Sequence, residues 1–200
     1  VQIDEATRRR LVQAMADAVA AHADELSALD AAAGDGDHGH NMRRGFAAVL
    51  EKIDAIAAKP LPDAAQDLGR TLVMTVGGAS GAIFGTAFMA AGKVLPQAPT
   101  RAEALVALEA AAAGVQARGK AEPGQKTMLD VLLPVAAALR AGETDVAAAA
   151  HRAAEATASM QAVRGRASFL GERSIGHVDA GARSAAILIA AICRTLEEAS

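Results

Sequence analysis

An all-α fold is what this sequence predicts, on three observations. Apolar residues recur with 3–4 spacing through most of the 200 positions, the signature of amphipathic helices. Alanine supplies much of the 52% hydrophobic content, while aromatics are 2% with no Trp or Tyr, so the core is built from small and aliphatic side chains that let helices approach closely. β-formers are scarce by comparison, and no convincing strand is found.

Asp4 caps a first helix whose inward face reads Leu11, Met15, Ala18, His22, Leu26 and Leu29, delivering Asp30 at its end. A second helix runs from about Asn41, burying Phe46, Ile53 and Ile56, until Pro60 and Pro62 stop it. A third carries Leu68, Leu72 and Val76. Gly77-Gly78-Ala79-Ser80-Gly81 opens a fourth through Phe84 and Phe88, ended by Gly92 and Pro96. Thr100 with Glu103 is a capping box for a fifth, with Leu105, Leu108, Ala112 and Val115 inward. A polar loop, 119–127, leads into a sixth helix with Met128, Leu129, Leu132 and Leu139, kinked at Pro134. Thr144 and Asp145 begin an alanine-rich seventh that ends near Val163. After a second polar loop, 164–179, the last helix runs from about Ala180 to Glu197. That makes about eight helices. Glycine and charge concentrate in alternate connections, 30–41, 77–81, 119–127 and 164–179. In an up-and-down bundle such loops share one end, which predicts a single site.

Formal net charge is −3, so no basic surface for nucleic acid is implied. The single cysteine, Cys193, excludes an internal disulfide and fits a reducing cytoplasm. No apolar run is long enough to span a membrane. Residues 1–200 are read as a single domain, whole or excised, and no heptad seam sets its oligomeric state, so a homodimer stays open.

The chemistry concentrates in Gly34-Asp35-Gly36-Asp37-His38-Gly39-His40-Asn41-Met42, with Asp30 just upstream. Three carboxylates in eight positions repel unless a cation sits among them, and all-oxygen ligands select hard divalent ions. A calcium loop begun at Asp35 needs Glu at its twelfth position and finds Phe46; begun at Asp30, it puts Asp35 where glycine belongs. Magnesium is left, and magnesium is usually completed by substrate phosphates. The helix opened by 77–81 offers free amides, a positive dipole end and the Ser80 hydroxyl to such a phosphate. It is neither a Walker A loop nor a dinucleotide fingerprint. Arg164, Arg166 and Arg173 are candidate phosphate partners, and Asp179 is most simply the N-cap of the last helix. His38 is a candidate hydrogen-bond donor to a phosphate, or a proton carrier. No nucleophile with an orienting base is evident, so catalysis is read as positional and electrostatic.

These motifs together closely resemble the ADP-binding L subunits of the dihydroxyacetone kinase family. The resemblance covers nearly the whole chain: 34–39 with Asn41-Met42, 77–81 with Gly85, Pro123-Gly124 to Thr127-Met128-Leu129-Asp130 and Pro134, then Gly165-Arg166-Ala167-Ser168 to Gly181-Ala182. It implies an eight-helix antiparallel up-and-down barrel with a nucleotide site in the loops at one end. It implies that Asp30, Asp35 and Asp37 bind two Mg2+ bridging to ADP or ATP, and that His38, Gly39, His40, Asn41, Ala79 and Ser80 contact the phosphates. Gly119 and Met128 are then expected to border the adenine, and Arg166 with Asp179, Ala180 and Gly181 to close over the nucleotide. The implied activity is phosphotransfer to dihydroxyacetone held on a separate K subunit, with a phosphocarrier M subunit renewing the phosphate; the alternatives are the L domain of an ATP-dependent kinase for dihydroxyacetone or another short keto sugar and, ranked last, a non-enzymatic nucleotide-sensing partner module. His40 and Ala180 depart from the family pattern.

Overall fold

The computed structural model describes residues 3–32 and 34–199. All regular structure among them is helical. The α-helices are α1 (Glu5–Ala21), α2 (Ala23–Ala31), α3 (His38–Leu50), α4 (Ile53–Ala57), α5 (Leu61–Thr75), α6 (Gly78–Val94), α7 (Arg101–Gly119), α8 (Leu129–Arg140), α9 (Val146–Ala156) and α10 (Ala180–Glu198). Two 3₁₀ segments, Thr157–Ser159 and Arg166–Ser174, lie between α9 and α10.

The expected count of about eight becomes ten α-helical segments because two expected helices break. The first breaks at His22, whose backbone leaves the helical region (φ −106°, ψ 8°). The second breaks at 51–52, where Lys52 does the same (φ −110°, ψ 10°). Other boundaries also move. α3 starts at His38, three residues before the expected Asn41, and α9 stops at Ala156 rather than near Val163. Pro62 sits in the first turn of α5, where its missing N–H costs nothing. Gly92 does not end α6; it lies inside, where a Cβ would come within 2.7 Å of the Pro62 carbonyl. Met128 precedes α8 as its cap.

Neighbouring contacts run α1–α3–α5–α6–α7–α8–α9–α10 and return from α10 to α1. The short helices fill in: α2 packs on α3 and α10, α4 on α1 and α5. Phe46, Leu26, Met42, Leu72, Leu129, Val19, Val49, Val131 and Val135 are wholly buried at the centre. Alanines line many of the crossings, among them Ala111, Ala112, Ala150, Ala154, Ala182 and Ala186. One end gathers the starts of α5, α7 and α9: Leu61 N–H donates to Gln97 (2.7 Å), and Arg101 reaches the carbonyl of Glu143. Elsewhere His38 at the start of α3 meets Ser80 at the start of α6 and Ser184 of α10, Arg166 pairs with Asp35, and Lys126, before α8, reaches Ser174. These contacts join the four glycine-rich connections.

Candidate functional site

The site begins with Asp30 in the last turn of α2. Its carboxylate accepts from the backbone N–H of Asp37 (3.0 Å) and of His38 (3.2 Å). Asp30 therefore satisfies the free amides at the start of α3, the task that the N-cap residue normally performs. Asp37 occupies the N-cap position yet makes no side-chain cap bond, so its carboxylate is left for other partners. Gly36 turns the chain with φ +74°, a conformation that suits glycine. That turn brings Asp35 back beside Asp37. One carboxylate oxygen from each of Asp30, Asp35 and Asp37 lies within 4.8 Å of the others. Asp35 also pairs with the Arg166 guanidinium.

Two helix starts meet beside this cluster. His38, 7% exposed, places Nδ1 3.0 Å from the Ser80 hydroxyl at the start of α6 and Nε2 2.8 Å from the Ser184 hydroxyl on α10. Burial pushes the imidazole below its ordinary range, against the opposing pull of Asp30 and Asp37. A neutral imidazole has one donor and one acceptor, and here each nitrogen has a hydroxyl partner. Both ring nitrogens of His38 thus face hydroxyls, one at the start of α6 and one on α10. No side chain caps α6, whose first turn carries Ala79 and Ser80. Asn41 is buried and accepts from Arg44 (2.9 Å), a residue the motifs did not single out.

The remaining expected residues fall in three places. His40 turns toward α2, with Nδ1 3.3 Å from the Ser27 hydroxyl and Nε2 3.5 Å from Asp24. Gly39 is buried where α3 crosses α2, and a Cβ there would sit 1.9 Å from the Ala23 carbonyl oxygen. Its first role is packing. Gly119 ends α7 near Ile83, and Met128 is buried in the core at the start of α8. Asp179 caps α10 as expected, accepting from Ala182 N–H (2.7 Å), and so fixes Ala180 and Gly181 in the first turn. Burial raises the Asp179 carboxyl to about 6, against the helix amides and Lys126.

Sequence reasoning missed the buried polar residues that hold these loops. Asp130, 6% exposed, accepts from Gly124 N–H (2.5 Å) and Thr127 N–H (2.8 Å). Lys126, 2% exposed, donates to the carbonyls of Met160 and Ser174. Thr157 is wholly buried and accepts from Asp179 N–H (3.0 Å). The signal for Asp130 was faintly present, as an acid three residues after Thr127 at a helix start. Lys126 sits in a stretch that reads as solvated, and gives no signal.

Comparison with known proteins identifies the family. The DAK2 domain model matches residues 32–194. The ADP-binding subunit DhaL of the PEP-dependent dihydroxyacetone kinase of Escherichia coli is 43% identical over 185 residues, 86% of this chain and 88% of that one. The corresponding subunit of kinase 1 from Listeria innocua is 44% identical over 173 residues, 85% and 86% of the two chains. Among solved structures, the dihydroxyacetone kinase from C. freundii in complex with AMP-PNP and Mg2+ is similar with a TM-score of 0.77 at 25% identity, over 98% of this chain and 34% of that one. Motifs, helical fold and relatives agree, and the chain belongs to the DAK2 domain family, with the DhaL-type ADP-binding subunits of dihydroxyacetone kinase.

Proposed function

We propose that this chain is the nucleotide-holding subunit of a dihydroxyacetone kinase. It binds ADP or ATP with magnesium in the loops at one end and passes the γ-phosphate to dihydroxyacetone on a separate K subunit. A phosphocarrier M subunit then renews the phosphate on the bound ADP. The observation that carries this reading is the convergence of Asp30, Asp35 and Asp37 beside the joined starts of α3 and α6. It stands in a chain 43–44% identical to subunits named for ADP binding.

The donor set fits magnesium: three carboxylates, all oxygen, one already anchored by two amides. Two ions are proposed, held by Asp30, Asp35 and Asp37. Held there, magnesium would supply positive charge to offset that of the phosphates during transfer. The protein's own groups do the positioning. His38 fixes the Ser80 hydroxyl, so that Ser80 and the amides of Ala79, with those of Gly39, His40 and Asn41, meet the phosphates as preset donors. Gly119 and Met128 border the base. Arg166, with Asp179, Ala180 and Gly181, closes the open side. Direct phosphoryl transfer requires no protein nucleophile, and the Ser80–His38 pair is given a positioning task.

The subunit reading is favoured over an ATP-dependent single-chain kinase by identity, 43–44% to two DhaL subunits against 36–39% to the longer erythrulose kinases. Among the described residues no helix is long and apolar enough to cross a membrane, and we place the protein in the cytoplasm. The test is to denature the protein as purified, without added nucleotide, and identify what is released. Near-stoichiometric ADP that survives desalting supports a resident coenzyme renewed by a phosphocarrier. An empty protein that binds magnesium-ATP points to the ATP-dependent kinase, and refusal of nucleotide in the presence of magnesium overturns both.

A further inference from the structure

Lys126 is a lysine in a loop, 2% exposed, held in the left-handed backbone region at φ +61°. Its ammonium donates to the carbonyl of Met160 (3.1 Å) and to that of Ser174 (2.7 Å). Those two carbonyls mark the two ends of one segment, 160–174. Between them lie Arg166, paired with Asp35, and Phe169 and Leu170, which with Arg166 wall a cleft against Ala31, Ala32 and Gly34. The same base is closed by Ala162 N–H donating to the Ser174 hydroxyl (2.8 Å) and by Gly176 N–H donating to the Ala158 carbonyl (2.7 Å). The tip is loose by contrast: Phe169 is 88% exposed.

Taking an ammonium out of water is costly unless strong hydrogen bonds replace the lost hydration. An ammonium carries three donors that point in different directions, so it can join two carbonyls arriving from different sides. A neutral side chain of the same length offers fewer donors and weaker bonds. The residue thus stands where the loop before α8 meets both ends of the segment that carries Arg166. Asp130 holds that loop in turn through Gly124 and Thr127.

We propose that Lys126 is a latch: a positioning residue that pins both ends of segment 160–174, sets Arg166 over the acid cluster and slows escape of the bound nucleotide. The claim about nucleotide escape rests on the function proposed above; the latch itself does not. The experiment uses the full chain with Lys126→Met, Lys126→Gln, Arg166→Ala and the Lys126→Met/Arg166→Ala double variant. Amide hydrogen exchange is followed without ligand, and release of a fluorescent ADP analogue is followed with magnesium present.

Exchange across 161–175 is expected to quicken about tenfold or more in Lys126→Met, with Lys126→Gln between it and the parent, while α1, α5 and α7 keep their protection. Release of the analogue is expected to quicken about tenfold in Lys126→Met. The double variant is expected to release no faster than the faster single variant, because both changes undo the same closure. Unchanged exchange in 161–175, loss of protection through the whole molecule in both Lys126 variants, or release rates that multiply in the double variant would each overturn the latch. If the parent protein binds no analogue, the functional reading fails, and hydrogen exchange still decides the latch by itself.

Discussion

At Asp179 one carboxylate serves two ends that pull against each other. As N-cap it accepts from Ala182 N–H, which favours the anion, yet its surroundings raise the carboxyl from 3.8 to about 6. Between about pH 4 and 6 the folded protein therefore keeps a proton that the unfolded chain has released. By linkage, the stability this group contributes is present at low pH and is lost as pH rises through about 6. Asparagine keeps the capping oxygen and has no charge to bury. Asp179→Asn is expected to melt relatively higher at pH 7 than at pH 4.5 when compared with the parent, while its nucleotide affinity falls. Thermal melts at the two pH values check the stability claim, and titration with magnesium-ADP checks the affinity. Asp35 is the opposite case: half-exposed, and tied to Arg166 rather than to the core. Asp35→Asn should leave the melting temperature within a few degrees of the parent. Phosphotransfer in the presence of the K subunit should fall by about 100-fold or more, read as sugar phosphate formed. The acids were legible in the sequence because three carboxylates among glycines is an uncommon local pattern. Lys126, Thr157 and Ser184 were not, since a polar residue becomes conspicuous only when the fold shows that it is buried.

Helices and loops show why two glycines of one site are not alike. Gly39 lies at the crossing of α2 and α3, where a Cβ would meet the Ala23 carbonyl oxygen at 1.9 Å. Gly78 has φ +67° and open space around it. Gly39→Ala must push α2 and α3 away from each other and is expected to cost about 3 kcal/mol or more, the upper range of overpacking. It should also shift His38 and so disturb Ser80. Gly78→Ala meets only the left-handed backbone penalty, roughly 1–2 kcal/mol. Denaturant titration of the two variants checks the order. At this scale the sequence spoke clearly about helix faces, because the 3–4 apolar spacing of Leu68, Leu72 and Val76 or of Leu188, Ile192 and Leu196 leaves little freedom. It was silent on the breaks at His22 and Lys52. Neither position carries a proline or glycine; beside them His22 bonds Glu25 three residues on (2.6 Å), and Arg8 reaches from α1 to the carbonyl of Ala57 in α4 (2.8 Å).

Over the whole molecule, the glycine-rich connections were expected to meet, and His38 with Ser80, Asp35 with Arg166 and Lys126 with Ser174 join them. Which helix neighbours which was not readable from the sequence, because an apolar stripe names the face a helix buries and not its partner. The resemblance to a known family supplied that expectation. Arg183 illustrates the tie between distant regions: from α10 it bonds Glu25 of α2 (2.6 Å), 158 positions away, and lies 3.2 Å from His151 of α9.

The return of α10 onto α1 has a consequence for how the chain can be rewired. Because α1 starts and α10 finishes at the end remote from the acids, a peptide link could join them there without approaching Asp30, Ser80 or Arg166. Cutting instead within 95–99, between α6 and α7 at that same remote end, would give a circular permutant with every helix neighbour retained and a different order along the polypeptide. Such a protein is expected to bind magnesium-ADP as the parent does. A cut within 77–81, at the start of α6, is expected to abolish that binding even if the helices still assemble.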